Sequence, residues 1–145
     1  MKKLVTLFAV GVVSTLILAA LSLAATRTTV WTAALSSGQE VPKQVVKDAA
    51  AHGLFKGTLT GHMLKWRLTF AKLTGPALQA HIHMARKGKS GAIVVPLCAP
   101  CTNGQKGTAT ISTALLADFQ KHLLYVNVHT AKNPAGEIRG QLARG

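Results

Sequence analysis

The sequence predicts an all-β fold: an antiparallel sandwich or barrel with one short helix. Three observations carry this. Apolar and polar residues alternate with period two in several short runs, as in "HMLKWRLTFAKL". Gly, Pro, Asn and Ser punctuate the chain between those runs. Beyond the N-terminal apolar stretch, "TALLADFQKHL" is the one segment with helical spacing.

In chain order, "TTVWTAALS" reads as the first strand, closed by "SGQEVP". "GLFKGTLTG" and "HMLKWRLTFAKL" form a hairpin that turns around Thr60-Gly61-His62. In its second arm Leu64, Trp66, Leu68 and Phe70 share one face, and Met63, Lys65, Arg67 and Thr69 the other. "LTGP" breaks the chain before the strand "ALQAHIHMA". "RKGKSG" is a basic turn, and "AIVVPL" has the continuous apolar character of a buried strand. "CAPCTNGQ" is loop and "KGTATIS" a strand. The helix is expected over Thr113–His122, with Thr113 as its cap and Leu115, Leu116, Phe119 and Leu123 on one side. "LYVNVHT" and "GEIRGQLA" close the chain as two strands around "AKNPAG".

The first residues stand apart. "MKK" precedes a long apolar run ending in Ser22-Leu23-Ala24, the pattern of a secretory signal peptide over residues 1–24. Residues 25–145 then form a single exported domain in the periplasm, the cell envelope or the medium, with no stable membrane span after cleavage. The run approaches the roughly 20 residues that cross a bilayer, so retention as an anchor is the alternative. No cysteine lies at the junction for acylation. Cleavage removes two of 17 basic residues and none of the four acidic ones, lowering the formal charge only from +13 to +11. Such a charge favours anionic partners, here an acidic envelope or extracellular polymer or protein, or simply keeps the chain soluble.

Conventional enzyme chemistry is not supported. The acids Glu40, Asp48, Asp118 and Glu137 are scattered singly, and no nucleophile elbow, P-loop or dinucleotide fingerprint occurs. Aromatic residues make up only 5% of the chain, and Trp31 and Trp66 alternate with apolar neighbours as core residues do. A nucleic-acid surface would interleave exposed aromatics with the basic residues, so nucleic acid is not favoured.

Three blocks carry a family pattern: "LSSGQEVP", "LTGPALQAHIHMARKGKSGAIVVPL" and "YVNVHTAKNPAGEIRGQL". Together they resemble the CHRD domain, a module repeated in chordin and found singly in many exported bacterial proteins. The resemblance runs from about Val30 to Leu142, and its most specific parts are "HIH" and the "VNVHT" and "GEIRGQ" blocks. It implies an extracellular Greek-key β-sandwich similar to copper–zinc superoxide dismutase, and no particular biochemical activity.

Within those blocks lie the candidate site residues. His81 and His83 share a strand face, and Tyr125, Asn127 and His129 share another. If the two strands adjoin, three imidazoles converge, a donor set suited to copper or zinc. Redox chemistry at such a site is the further reading. The competing reading is a polar seam of histidines bonded to backbone groups. Cys98 and Cys101 lie in loop sequence and are expected to form a structural disulfide, because a redox Cys-x-x-Cys needs a helix N-terminus. Glu137 and Arg139 sit at i and i+2 and read as a structural ion pair beside the histidines. Arg86, Lys87 and Lys89 form the sharpest basic patch, a binding turn or a solvated one.

Overall fold

A computed structural model describes residues 27–43 and 50–145. The expected signal segment lies outside these residues. Nine strands, one turn of 3-10 helix (Ser37–Gln39) and one α-helix make up the described chain. The strands are β1 (Thr28–Ser36), β2 (His52–Thr60), β3 (Met63–Ala71), β4 (Ala77–Met84), β5 (Ile93–Cys98), β6 (Lys106–Thr110), β7 (Leu124–Thr130), β8 (Ile138–Gln141) and β9 (Ala143–Arg144). All pairings are antiparallel, in the order β5-β4-β7-β8-β1-β2-β3-β6, with β9 also on β1. The edge strands β5 and β6 approach each other, so the sheet curls into a nearly closed barrel.

The alternation read in the sequence fixes which faces turn inward. Leu64, Trp66 and Leu68 of β3 are buried, while Met63, Lys65 and Arg67 are exposed. β1 pairs with β2 along its whole length, from Thr28↔Thr60 to Ser36↔His52, and places Trp31, Ala33 and Leu35 in the same core. Ile82, Val126, Val128 and Ile138 complete it from the other half of the sheet. Phe119 covers one end of the core, with its ring 5.2 Å from that of Trp31.

Three elements differ from expectation. "AIVVPL" is not a buried central strand: β5 is an edge strand, with only Val95 fully buried and Ile93 52% exposed. Pro96, which cannot donate to a ladder, is tolerated at such an edge. The helix α1 spans Thr113–Gln120, and its cap is Ser112, whose hydroxyl accepts from the Leu115 amide at 3.2 Å. The helix stops short of His122 because that residue adopts a left-handed conformation, φ 55°. Finally, "GEIRGQLA" is two strands. It leaves β7 for β1 at the buried Leu142, whose amide donates to the Leu124 carbonyl. Gly140 allows this crossing, since a Cβ there would lie 2.3 Å from the Ala34 carbonyl oxygen.

Candidate metal centre

The outer face of β4-β7-β8 is polar yet buried. Register sets it out in rows: His81 opposite Asn127 opposite Arg139, and His83 opposite Tyr125 opposite Gln141. His129 pairs with Gln79 in the next row. All seven residues of β7 are buried, so the face that alternation turns away from the core is covered too.

The three sequence-predicted histidines come together here. One ring nitrogen from each lies within 4.8 Å of the other two, and each residue is buried. His81 and His129 are closest, with Nδ1 of the first 3.2 Å from Nε2 of the second. Backbone carbonyls fix the other nitrogens. His83 Nδ1 donates to Gly91 O and His129 Nδ1 to Pro134 O, both at 2.9 Å. In a neutral imidazole this leaves Nε2 with the lone pair. His129 Nε2 also lies 2.9 Å from the Asn127 side-chain oxygen Oδ1, which only accepts, so this bond belongs to the alternative tautomer with Nε2 protonated. His83 Nε2 is buried and makes no hydrogen bond of proper geometry in the protein, although the Asn127 side chain lies near enough to favour its charged form.

This arrangement suits a cation better than protons. Burial pushes the His81 imidazole down to about 4, aided by repulsion from His129 and His83. Burial also lowers His83 and His129, against the carbonyl bonds that favour their charged forms. The rings are therefore neutral at ordinary pH and keep the lone pairs a metal needs. Metal–nitrogen bonds of about 2.0–2.1 Å place two ligands of a tetrahedral ion roughly 3.3 Å apart, near the His81–His129 separation. The carbonyl anchors on His83 and His129 are of the kind that orients histidines in metal sites.

The loops that cover the site are fastened to the same residues. Arg139 Nη2 donates to Lys89 O at 2.6 Å and to Arg86 O at 3.4 Å, and its Cζ lies 3.4 Å from the Tyr125 ring centroid. Gln141 Nε2 reaches Ala85 O at 2.9 Å. The basic turn is thus held by its backbone, while Arg86, Lys87 and Lys89 remain exposed.

The expected Glu137–Arg139 pair is not formed, because each has other partners. The Glu137 carboxylate accepts from the Thr74 amide and hydroxyl and the Thr130 hydroxyl, all at 2.6 Å, and from Asn133 Nδ2 at 3.0 Å. Burial raises its pKa, but these bonds outweigh burial and hold the carboxyl below its usual range. The acid facing Arg139 is instead Glu40. Burial raises its carboxyl to about 7, against the pull of Arg139 and the Val41 amide. Cys98 and Cys101 are joined in a disulfide, at the far end of β5.

Sequence reasoning assigned no role to Asn127, Tyr125 or Glu40. The first two were visible as neighbours of His129 by period two. Glu40 lies in the block "LSSGQEVP", but only the fold brings it to Arg139. Gly136 (φ 127°) passes so close that a Cβ would lie 2.6 Å from Glu40 Oε1 and 2.8 Å from Asn127 Nδ2.

A family model for the CHRD domain matches residues 31–142. No curated protein and no solved structure matches the chain. The match spans most of the sequence and includes all three histidines, so this chain belongs to the CHRD domain family.

Proposed function

We propose that this protein is an exported, non-enzymatic CHRD binding module whose centre, built by His81, His83 and His129, holds a copper or zinc ion. The observation that carries this reading is the buried Nε2 of His83, which makes no hydrogen bond of proper geometry, within a group of three converging imidazoles. Buried polar atoms without partners are few in native proteins, and a metal ion would satisfy this one. Three nitrogen donors leave a fourth position for water or a ligand. Redox chemistry at a copper-loaded centre is the second reading. The four donors on Glu137 hold its charge in place, which favours a structural role over proton transfer.

Export is supported by the signal-like residues 1–24, the disulfide and the family. Among the described residues no helix is long and apolar enough to cross a membrane. The strand order, with β6 following β3 and β5 lying beside β4, favours a Greek-key sandwich of two facing half-sheets. An anionic envelope or extracellular polymer is the macromolecular partner, meeting the cations Arg86, Lys87 and Lys89 at the turn above Arg139. Both tryptophans are buried, which does not favour nucleic acid.

Calorimetric titration of metal-free protein with Cu²⁺ or Zn²⁺ tests the centre. One equivalent should bind, His83→Ala should remove most of the affinity, and the exposed His52→Ala should not. Binding weaker than about millimolar, or unchanged in His83→Ala, would leave the histidines as loop fasteners.

A further inference from the structure

Register lines up like charges on the outer face of β2, β3 and β6. Lys56 pairs with Arg67, and Arg67 with Lys106, so three cations stand in one row across three neighbouring strands. Lys65 lies two residues along β3 on the same face, and all four side chains are exposed. Directly opposed residues sit about 4.5–5.5 Å apart at Cβ, where like charges repel. The described acids are engaged elsewhere: Glu40 faces Arg139, Glu137 is taken up by Thr74, Thr130 and Asn133, and Asp118 lies on α1. Among the described residues the row therefore has no counter-charge. The same face carries two large exposed apolar side chains, Leu54 at 48% and Met63 at 53%. The pairings Leu54↔Thr69 and Thr60↔Met63 put them in the rows on either side of the cations.

We propose that this face docks the protein on an anionic phospholipid surface. Lipid phosphates supply the counter-charge that the row lacks, and each Lys or Arg near such a surface strengthens binding about fivefold. Leu54 and Met63 enter the boundary between head groups and acyl chains, a layer that a hydrated polysaccharide does not have. The three strands offer no outward aromatic ring for stacking on a sugar or a base. Phe55 and Trp66 are buried, and Phe70 packs against the core. That argues against polysaccharide and nucleic acid on this face. These strands lie in the other half of the sheet from β4, β7 and β8. The proposal is thus independent of the metal centre and of the basic turn.

The test is co-sedimentation of the mature protein, recovered from the producing cells, with vesicles of phosphatidylcholine alone or with about one third phosphatidylglycerol. Anionic vesicles should bind at least tenfold more tightly than neutral ones. Raising salt from about 0.1 M to about 1 M should remove most of that difference. Lys56→Gln/Lys106→Gln should lose at least tenfold, with the melting temperature kept or raised, because it relieves the repulsion on Arg67. Lys121→Gln/Lys132→Gln removes the same charge from exposed positions outside the face and should lose less than threefold. Leu54→Ser/Met63→Ser should weaken binding at least threefold. Equal binding of the two vesicle types, equal losses in the two lysine variants, or unchanged binding in Leu54→Ser/Met63→Ser overturns the proposal. So does a loss confined to Arg86→Ala/Lys89→Ala, which would place the contact on the basic turn. If soluble polyuronate binds the wild type but not Lys56→Gln/Lys106→Gln, and anionic vesicles do not bind, the face serves a polysaccharide and the membrane proposal fails.

Discussion

His83 stacks on Tyr125, with ring centroids 4.9 Å apart and planes 12° from parallel. Tyr125 stands on β7 between β4 and β8, so it contacts both His83 and Arg139, and its hydroxyl accepts from the Gly91 amide at 3.3 Å. It therefore positions His83 and the turn whose Gly91 carbonyl anchors that imidazole. Tyr125→Phe should cost about 0.5–1.5 kcal/mol, the worth of one hydrogen bond, and leave metal affinity within a few-fold. Tyr125→Ala should cost about 3–5 kcal/mol, as for other buried aromatics, and weaken metal binding at least tenfold. Urea unfolding and calorimetry measure the two effects. Wild-type affinity in Tyr125→Ala would show that the stack does not position His83.

Stability of the metal-free protein should depend on pH through two opposed groups. His81, held at about 4, binds fewer protons folded than unfolded, so stability rises as pH climbs from about 4 to 6.5. His83 and His129, also lowered, act in the same direction. Glu40, raised to about 7, binds more protons folded than unfolded, so it subtracts stability as pH climbs from 4.5 to about 7. Glu40→Gln should expose the histidine rise and remove the loss near neutrality. Thermal melts in steps of half a pH unit should show the two profiles diverging above pH 5. Parallel profiles would mean that the Glu40 carboxyl titrates normally.

Glu137 should be among the most costly carboxylates to remove. Its four donors, from Thr74, Thr130 and Asn133, tie three loop and strand segments together. Hydrogen bonds to a charged group contribute about 1.5–3 kcal/mol each and are not additive. Glu137→Ala should therefore destabilise by more than about 3 kcal/mol. The lowered pKa of Glu137 makes its contribution full above about 4.5 and progressively lost as pH falls further. An acid limb no less steep in Glu137→Ala would refute this.

The disulfide should matter little to stability. Cys98 and Cys101 are three residues apart, and chain-entropy estimates for so short a loop give about 2 kcal/mol at most. Cys98→Ser/Cys101→Ser should keep the fold and its full metal stoichiometry, read by circular dichroism and calorimetry. Loss of metal would tie the loop to the histidine centre.

The native protein should begin near Ala25, outside the cytoplasm. N-terminal sequencing of material from the producing cells checks this, and an intact Met1 in the membrane fraction would indicate an anchor.

Much of the architecture could be read from period-two alternation. It marks β1, β2, β3, β4 and β7 because each has one face in the core. It fails for β5, whose apolar run lies at an edge, because hydrophobicity alone does not say how many neighbours a strand has. It fails also at Leu142, where partner switching divides a continuous pattern between two sheet neighbours. The histidine centre was legible because His81 and His83 share a face and the fold places β7 beside β4. Glu40 was not, because its approach to Arg139 joins two residues 99 positions apart in the chain. Glu137 and Arg139 show a different limit. Sharing a face does not make two charges partners when hydroxyls and carbonyls lie nearer.

The last strands have a consequence for how the molecule is assembled in time. β8 closes on β7 and has its ladder pairing with β1 at Ser36↔Arg139, while β9 pairs with β1 at Trp31↔Arg144 and Thr32↔Ala143. The final eight residues therefore stitch the first strand to the second half of the barrel. Until they are present, β1 has β2 alone as a ladder partner, and a growing chain exposes an open edge. Contacts of such long sequence separation slow folding. Synthesis from the N-terminus thus yields a chain whose first strand stays unlocked until residues 138–144 have been made.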